Sequence, residues 1–109
     1  MPITVNILYT GKDTAALDFA HEMLSSGIVE QVQKEIGNLR YEYFVPIADN
    51  RSVLLIDEWE NQAAIDEHHK SEMMKEIASL RNKYHLRMRV TRYTASESEE
   101  EKENTRTNF

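Results

Sequence analysis

The residues able to do chemistry in this 109-residue chain are few, and most lie between residues 54 and 74. That stretch, LLIDEWENQAAIDEHHKSEMM, passes from an apolar run through Asp57-Glu58-Trp59 to the pair His68-His69, and Trp59 is the single tryptophan of the chain. An imidazole takes or gives a proton near pH 7 with little tuning, so His68 suits a general base beside a bound phenol. Its structural alternative is a histidine packed under Trp59 and bridging Glu58 to a helix. His68 and His69 make a poor metal pair, because adjacent helical residues diverge by ~100°. With no cysteine in the chain and His85 far along it, no metal site is expected. Arg87 and Arg89, two apart on one strand face, suit an anion such as a phosphate or carboxylate, or else balance surface acids such as Glu42. Asn6 sits in mid-strand, where an amide must find hydrogen-bond partners if it is covered or else face solvent. No glycine-rich phosphate loop and no nucleophile motif occurs.

The elements that must position these groups follow from periodicity. Residues 3–10, ITVNILYT, alternate as a strand with Ile3, Val5, Ile7 and Tyr9 on one face and Thr4, Asn6, Leu8 and Thr10 on the other. Asp13 or Thr14 can cap the helix that follows. Leu17, Ala20, Met23, Leu24, Ile28, Val29, Val32 and Ile36 recur at helical spacing, with Ser25-Ser26-Gly27 predicting a kink or a second short helix. Gly37-Asn38 suits a left-handed cap. Residues 39–45 read as a second strand with Leu39, Tyr41, Tyr43 and Val45 on one face, and Pro46 makes its end an edge or a bulge. A short turn predicts an antiparallel hairpin into residues 52–59, whose first half is apolar on both faces and so needs cover on both sides. Asn61 can cap a helix carrying Ala64, Ile65 and His68 inward, broken at Ser71-Glu72 before Met73, Met74, Ile77, Leu80 and Tyr84. Residues 85–93 alternate as a fourth strand with Leu86, Met88 and Val90 inward and Arg87, Arg89 and Tyr93 outward.

The order β-α-β-β-α-β is the α+β, ferredoxin-like arrangement, with two helical layers on one face of a four-stranded antiparallel sheet. Leu8, Phe44 and one side of the third strand remain on the other face, and a second copy packed against it would bury them. The expected domain spans residues 1–95. Residues 96–109 form an acidic tail with no aliphatic residue, expected to be disordered or to extend as a helix over residues 97–103.

Composition sets the outer bounds. Nineteen acidic residues against thirteen basic give a net charge of −6, which argues against nucleic acid as a partner. The N-terminus shows no basic-then-apolar signal region, and no run approaches the roughly 20 apolar residues of a membrane span, so the expected setting is the cytoplasm.

Several of these residues also carry a likeness. Asp57-Glu58-Trp59 followed by Ala64-Ile65-Asp66-Glu67-His68 resembles the E-x-W then A-L-x-x-H pattern of the antibiotic biosynthesis monooxygenase (ABM) superfamily. Gly37-Asn38-Leu39-Arg40-Tyr41 and Arg92-Tyr93 fit the same pattern, and the likeness runs from about residue 3 to residue 94. It implies a homodimeric α/β barrel and a monooxygenase that oxidises a small aromatic quinol-like substrate with O2 and no cofactor. Under it His68 is the base, Asn6 holds the oxyanion, Glu58 orients the imidazole, and Trp59 and Tyr43 wall the pocket. The superfamily's haem-degrading branch carries a tryptophan where this chain has His68 and a haem-ligating histidine near Ala78, so haem is not expected. Many quinol-type members carry a second histidine near Met73, which this chain lacks. The same superfamily leaves open an isomerase of a small phosphorylated or keto substrate held by Arg87 or Arg89, and a non-catalytic binding or stress-response dimer.

Overall fold

The structure, a computed structural model, describes residues 1–94, so the acidic tail lies outside the described residues. Four strands form one antiparallel sheet in the order β2-β3-β1-β4. They are β1 (Ile3–Thr10), β2 (Asn38–Phe44), β3 (Ser52–Trp59) and β4 (Arg87–Thr94). Between them lie α1 (Ala15–Ser25), α2 (Ile28–Gln33), α3 (Gln62–Lys70) and α4 (Glu72–Lys83). This is the ferredoxin-like βαββαβ fold, each helical layer being two helices in series.

Both helix breaks have a local cause. Gly27, at φ 84°, lets the chain turn from α1 into α2 without a Cβ penalty. Ser71 adopts extended backbone between α3 and α4. Its hydroxyl donates to the His68 carbonyl at 2.7 Å and accepts from the Met74 amide at 3.3 Å. One side chain therefore closes one helix and opens the next. Asn61 caps α3 through Oδ1, 2.9 Å from the Ala64 amide. Thr14 occupies the N-cap position of α1 without capping it; its hydroxyl donates to Asp18 instead.

Register decides which side chains share a face. β1 pairs with β3 so that Ile3, Val5, Ile7 and Tyr9 stand opposite Trp59, Asp57, Leu55 and Val53. β2 sets Tyr41 opposite Asp57 and Tyr43 opposite Leu55. All of these face the helices. The core there is closed by Phe19 and Met23 of α1, Val32 of α2, Ile65 of α3 and Ile77 of α4, all buried. Burying each such side chain stabilises the fold by about 1.5–3 kcal/mol. Glu22 ties α1 to α4, accepting from Tyr84 at 2.5 Å and from Lys83 at 2.8 Å.

Two expectations need correction at β4. The strand runs over Arg87–Thr94, so His85 precedes it, in left-handed backbone at φ 53°. Met88 and Val90 point to the helical side as expected, yet they are 43% and 56% exposed on this edge strand. The opposite face of the sheet carries Leu8, Leu54 and Ile56, all half-buried, and Phe44 at 37% exposure.

Candidate active site

His68 lies on the inner face of α3 and is 5% exposed. Its ring sits 4.8 Å from the Trp59 ring, centroid to centroid, and 6.5 Å from that of Tyr41. Its partner is Glu35, in the turn between α2 and β2, with Nδ1 2.5 Å from Oε1. A carboxylate only accepts, so the Nδ1 proton donates to Glu35, and in the neutral form of the ring the lone pair is then on Nε2. No side chain among the described residues bonds Nε2.

The Glu35 turn is held in place by backbone. Gly37 takes φ 87°, and its carbonyl accepts from the Glu60 amide at 2.8 Å. A Cβ on Gly37 would stand 2.5 Å from the Ala64 Cβ, so only glycine lets this turn lie against α3. Between turn and helix opens a cavity of about 460 Å³, lined by His68, Glu35, Ile36, Ala64, Glu60 and Glu67 among others. That volume is in the range of small-molecule sites.

Behind His68 lies a polar interior. Asp57, buried on the helical face of β3, has its carboxyl pushed up to about 7, chiefly by burial and in smaller part by the Glu35 charge, against the lowering pull of the Trp59 side chain. Asp57 Oδ1 and the Tyr43 hydroxyl are out of water and have no hydrogen-bond partner among the described residues. Burial holds the Tyr9 phenol up at about 12, with the Arg81 charge pulling it back, and burial raises Tyr41 and Tyr43 as well. These phenols stay protonated at neutral pH and cannot act as bases. His68 and Asp57 are the inner groups suited to proton transfer.

The structure divides the site residues expected from sequence. His68 and Trp59 are brought together, but Trp59 is 1% exposed and backs the imidazole without lining the cavity. Tyr43 packs farther along the core against Tyr9 and Phe19, at 6.5 and 6.2 Å. Glu58 does not orient His68: side chains alternate along β3, so Glu58 projects from the opposite face and accepts from Thr4 at 3.1 Å. Asn6 lies on that face too, opposite Ile56 and Thr91, with Oδ1 buried and unpartnered. It cannot meet a substrate at His68 in this protomer. Arg87 and Arg89 also face away from the helices, lining a cavity of about 330 Å³ with Leu8, Thr10 and Met88. Glu35 was not legible as a partner, since it lies 33 positions before His68 and belongs to no local motif. Among the described residues no group of three or more His, Asp or Glu side chains is arranged to hold a metal ion. No described helix is long and apolar enough to cross a membrane.

Comparison with solved structures places this architecture among known relatives. A conserved protein of Methanosarcina mazei Go1 superposes with a TM-score of 0.75 at 21% identity, over 88% of this chain and 94% of that one. SnoaB, a cofactor-independent oxygenase from Streptomyces nogalater, superposes with a TM-score of 0.72 at 14% identity, over 88% and 94% of the two chains. A protein described as an antibiotic biosynthesis monooxygenase gives 0.67 at 25% identity, over 85% and 98%. No functionally curated protein matches the chain in sequence. The profile of the family described as antibiotic biosynthesis monooxygenase, ABM, matches residues 2–80, which is most of the chain and includes both Glu35 and His68. The chain belongs to the antibiotic biosynthesis monooxygenase family.

Proposed function

We propose that the protein is a monooxygenase that oxidises a small aromatic, quinol-like compound with O2, using the substrate as its own electron source. The observation that carries this reading is the Glu35–His68 pair at 2.5 Å, set in the wall of the 460 Å³ cavity. Nε2 takes a phenolic proton, and Glu35 stabilises the imidazolium that results. The electron-rich phenolate passes one electron to O2, and the two radicals combine at a ring carbon as a hydroperoxide. Loss of water then leaves a quinone: one oxygen atom enters the substrate, and the other departs with the two hydrogens the substrate gives up. His68 serves first as base and then as the acid that returns a proton to the peroxide.

The experiment is oxygen uptake with a panel of quinols and anthrones, on protein stripped of metal and free of flavin colour. His68→Ala is expected to lower kcat/KM by about 10²–10⁴-fold, the usual worth of a positioned acid–base group. Glu35→Gln, which keeps an acceptor but removes the charge, is expected to lower it by about 10-fold or more. No uptake from folded protein on any panel member would overturn the reading.

The same reading has the protein act as a homodimer through the sheet face that carries Leu8, Phe44, Leu54 and Ile56. The isomerase alternative finds support in the Arg87 and Arg89 cavity. That cavity is lined otherwise by Leu8, Thr10 and Met88, so it offers an anion site without a proton carrier beside it. Turnover of a phosphorylated ketose with no oxygen uptake would favour it.

A further inference from the structure

We propose that the His68 cavity is a charge filter, in which Glu60 and Glu67 favour a cationic, amine-bearing aromatic, admit an uncharged one and turn away an anionic one. The inference rests on the reading of this cavity as the substrate site, and it names the substrate class that the site selects. The cavity lining includes three carboxylates, Glu35, Glu60 and Glu67, and no lysine or arginine. Glu35 is engaged by His68. Glu67 has Lys70 at 3.9 Å, but both side chains are about three-quarters exposed, so water and salt screen that pair. Glu60 forms no ion pair among the described residues, and its Oε2 lies over Gly37, 3.7 Å from where a Cβ would stand.

A separate observation points to a ligand here. His68 is 5% exposed, lines the cavity, and leaves Nε2 without a partner among the described residues. The remaining wall has an apolar part, Ala63, Ala64 and Ile36, the last 93% exposed at the rim, with the uncharged capping residues Asn61 and Ser71 completing it. Ring atoms are accommodated by that wall, a ring hydroxyl by Nε2, and a charged substituent by the carboxylates. The arginines that would attract an anion are elsewhere. Arg87 and Arg89 stand across the sheet, and Arg92 donates to Gln62. A carboxylate about 6 Å from a ligand charge in water-exposed surroundings shifts affinity about threefold, up for a cation and down for an anion, so two of them separate cation from anion by well over tenfold at low salt.

The test uses three hydroquinones of similar size, carrying an aminomethyl, a hydroxymethyl or a carboxymethyl group. Equilibrium dialysis without oxygen measures their binding to the full chain, and the fluorescence of Trp59, the single tryptophan, gives a second signal. The expected order is cation tighter than neutral tighter than anion, spanning at least tenfold at low salt and shrinking in 1 M NaCl. Glu60→Gln together with Glu67→Gln should shrink the spread at least several-fold, leaving only the share that the Glu35 charge contributes, with circular dichroism unchanged. Equal affinities in the wild type, tighter binding of the carboxylate, a spread untouched in the double variant, or no binding of any probe would each overturn the filter. The ordered spread in a protein that consumes no oxygen would uphold the filter and sink the monooxygenase reading alone.

Discussion

At the scale of single residues, the site is built from polar groups taken out of water and only partly repaid with hydrogen bonds. His68 is satisfied at Nδ1 and free at Nε2, the arrangement a proton acceptor requires. Asp57 is the costlier group. Its carboxyl sits at about 7 in the fold against an ordinary value of 3.8. Below pH 4 both folded and unfolded chains hold the proton and nothing is lost. As pH rises from 4 to 7 the unfolded chain releases its proton first, so stability falls, and above 7 the full cost persists. That cost is on the order of 2–4 kcal/mol. Asp57→Asn removes it, so urea unfolding should show the variant gaining about 1–3 kcal/mol more, relative to wild type, at pH 8 than at pH 5. An equal difference at both values would mean that the carboxyl ionises as easily in the fold as outside it.

At the scale of elements, the cavity depends on how closely the α2–β2 turn approaches α3. Gly37 sets that distance twice over, through its φ of 87° and through the 2.5 Å that a Cβ would leave to Ala64. Gly37→Ala is expected to destabilise by about 2–4 kcal/mol, combining left-handed backbone strain with overpacking. Adding Ala64→Gly should recover the overpacking share but not the backbone share, which a shift in urea midpoint would read directly. Ser71 tests the other end of α3. Ser71→Ala loses the bonds to Met74 and His68, and should cost about 1 kcal/mol. Since the bonded carbonyl belongs to His68 itself, the same variant should also lower kcat/KM in oxygen uptake.

At the scale of the whole molecule, the sheet is covered on one side only. Leu54 and Ile56 are half-buried in the single protomer, and Phe44 is 37% exposed beside them. An apolar band of this kind across a sheet marks an interaction surface. The proposed pairing of two such faces predicts a dimer by light scattering. Ile56→Lys, which places a charge at the centre of the band without touching the helical core, should give a folded monomer. A dimer that survives the substitution would place the contact elsewhere, with the exposed Met88 and Val90 edge the next surface to test.

Much of the architecture could be read from residue order alone. The strand at residues 3–10, the strand at 52–59, the break at Ser25-Ser26-Gly27 and the break at Ser71 all stand where alternation and poor helix formers put them. These features are local, since they depend on a side chain's own preferences and those of neighbours three or four positions away. Strand alternation also sorted the side chains of β1 correctly into two faces. The same alternation already sets Asn6 on the uncovered Leu8 face and Glu58 on the face opposite Trp59, so it could not support the roles beside His68 that the resemblance gave them. Nor could it supply Glu35, which meets His68 only after α2, the Gly37 turn and β2 have folded back over α3. Sequence by itself determined the elements and the histidine able to carry a proton. Tertiary structure alone decided which carboxylate holds that histidine and which chemistry it faces, because those contacts join segments that only the closed sheet brings together.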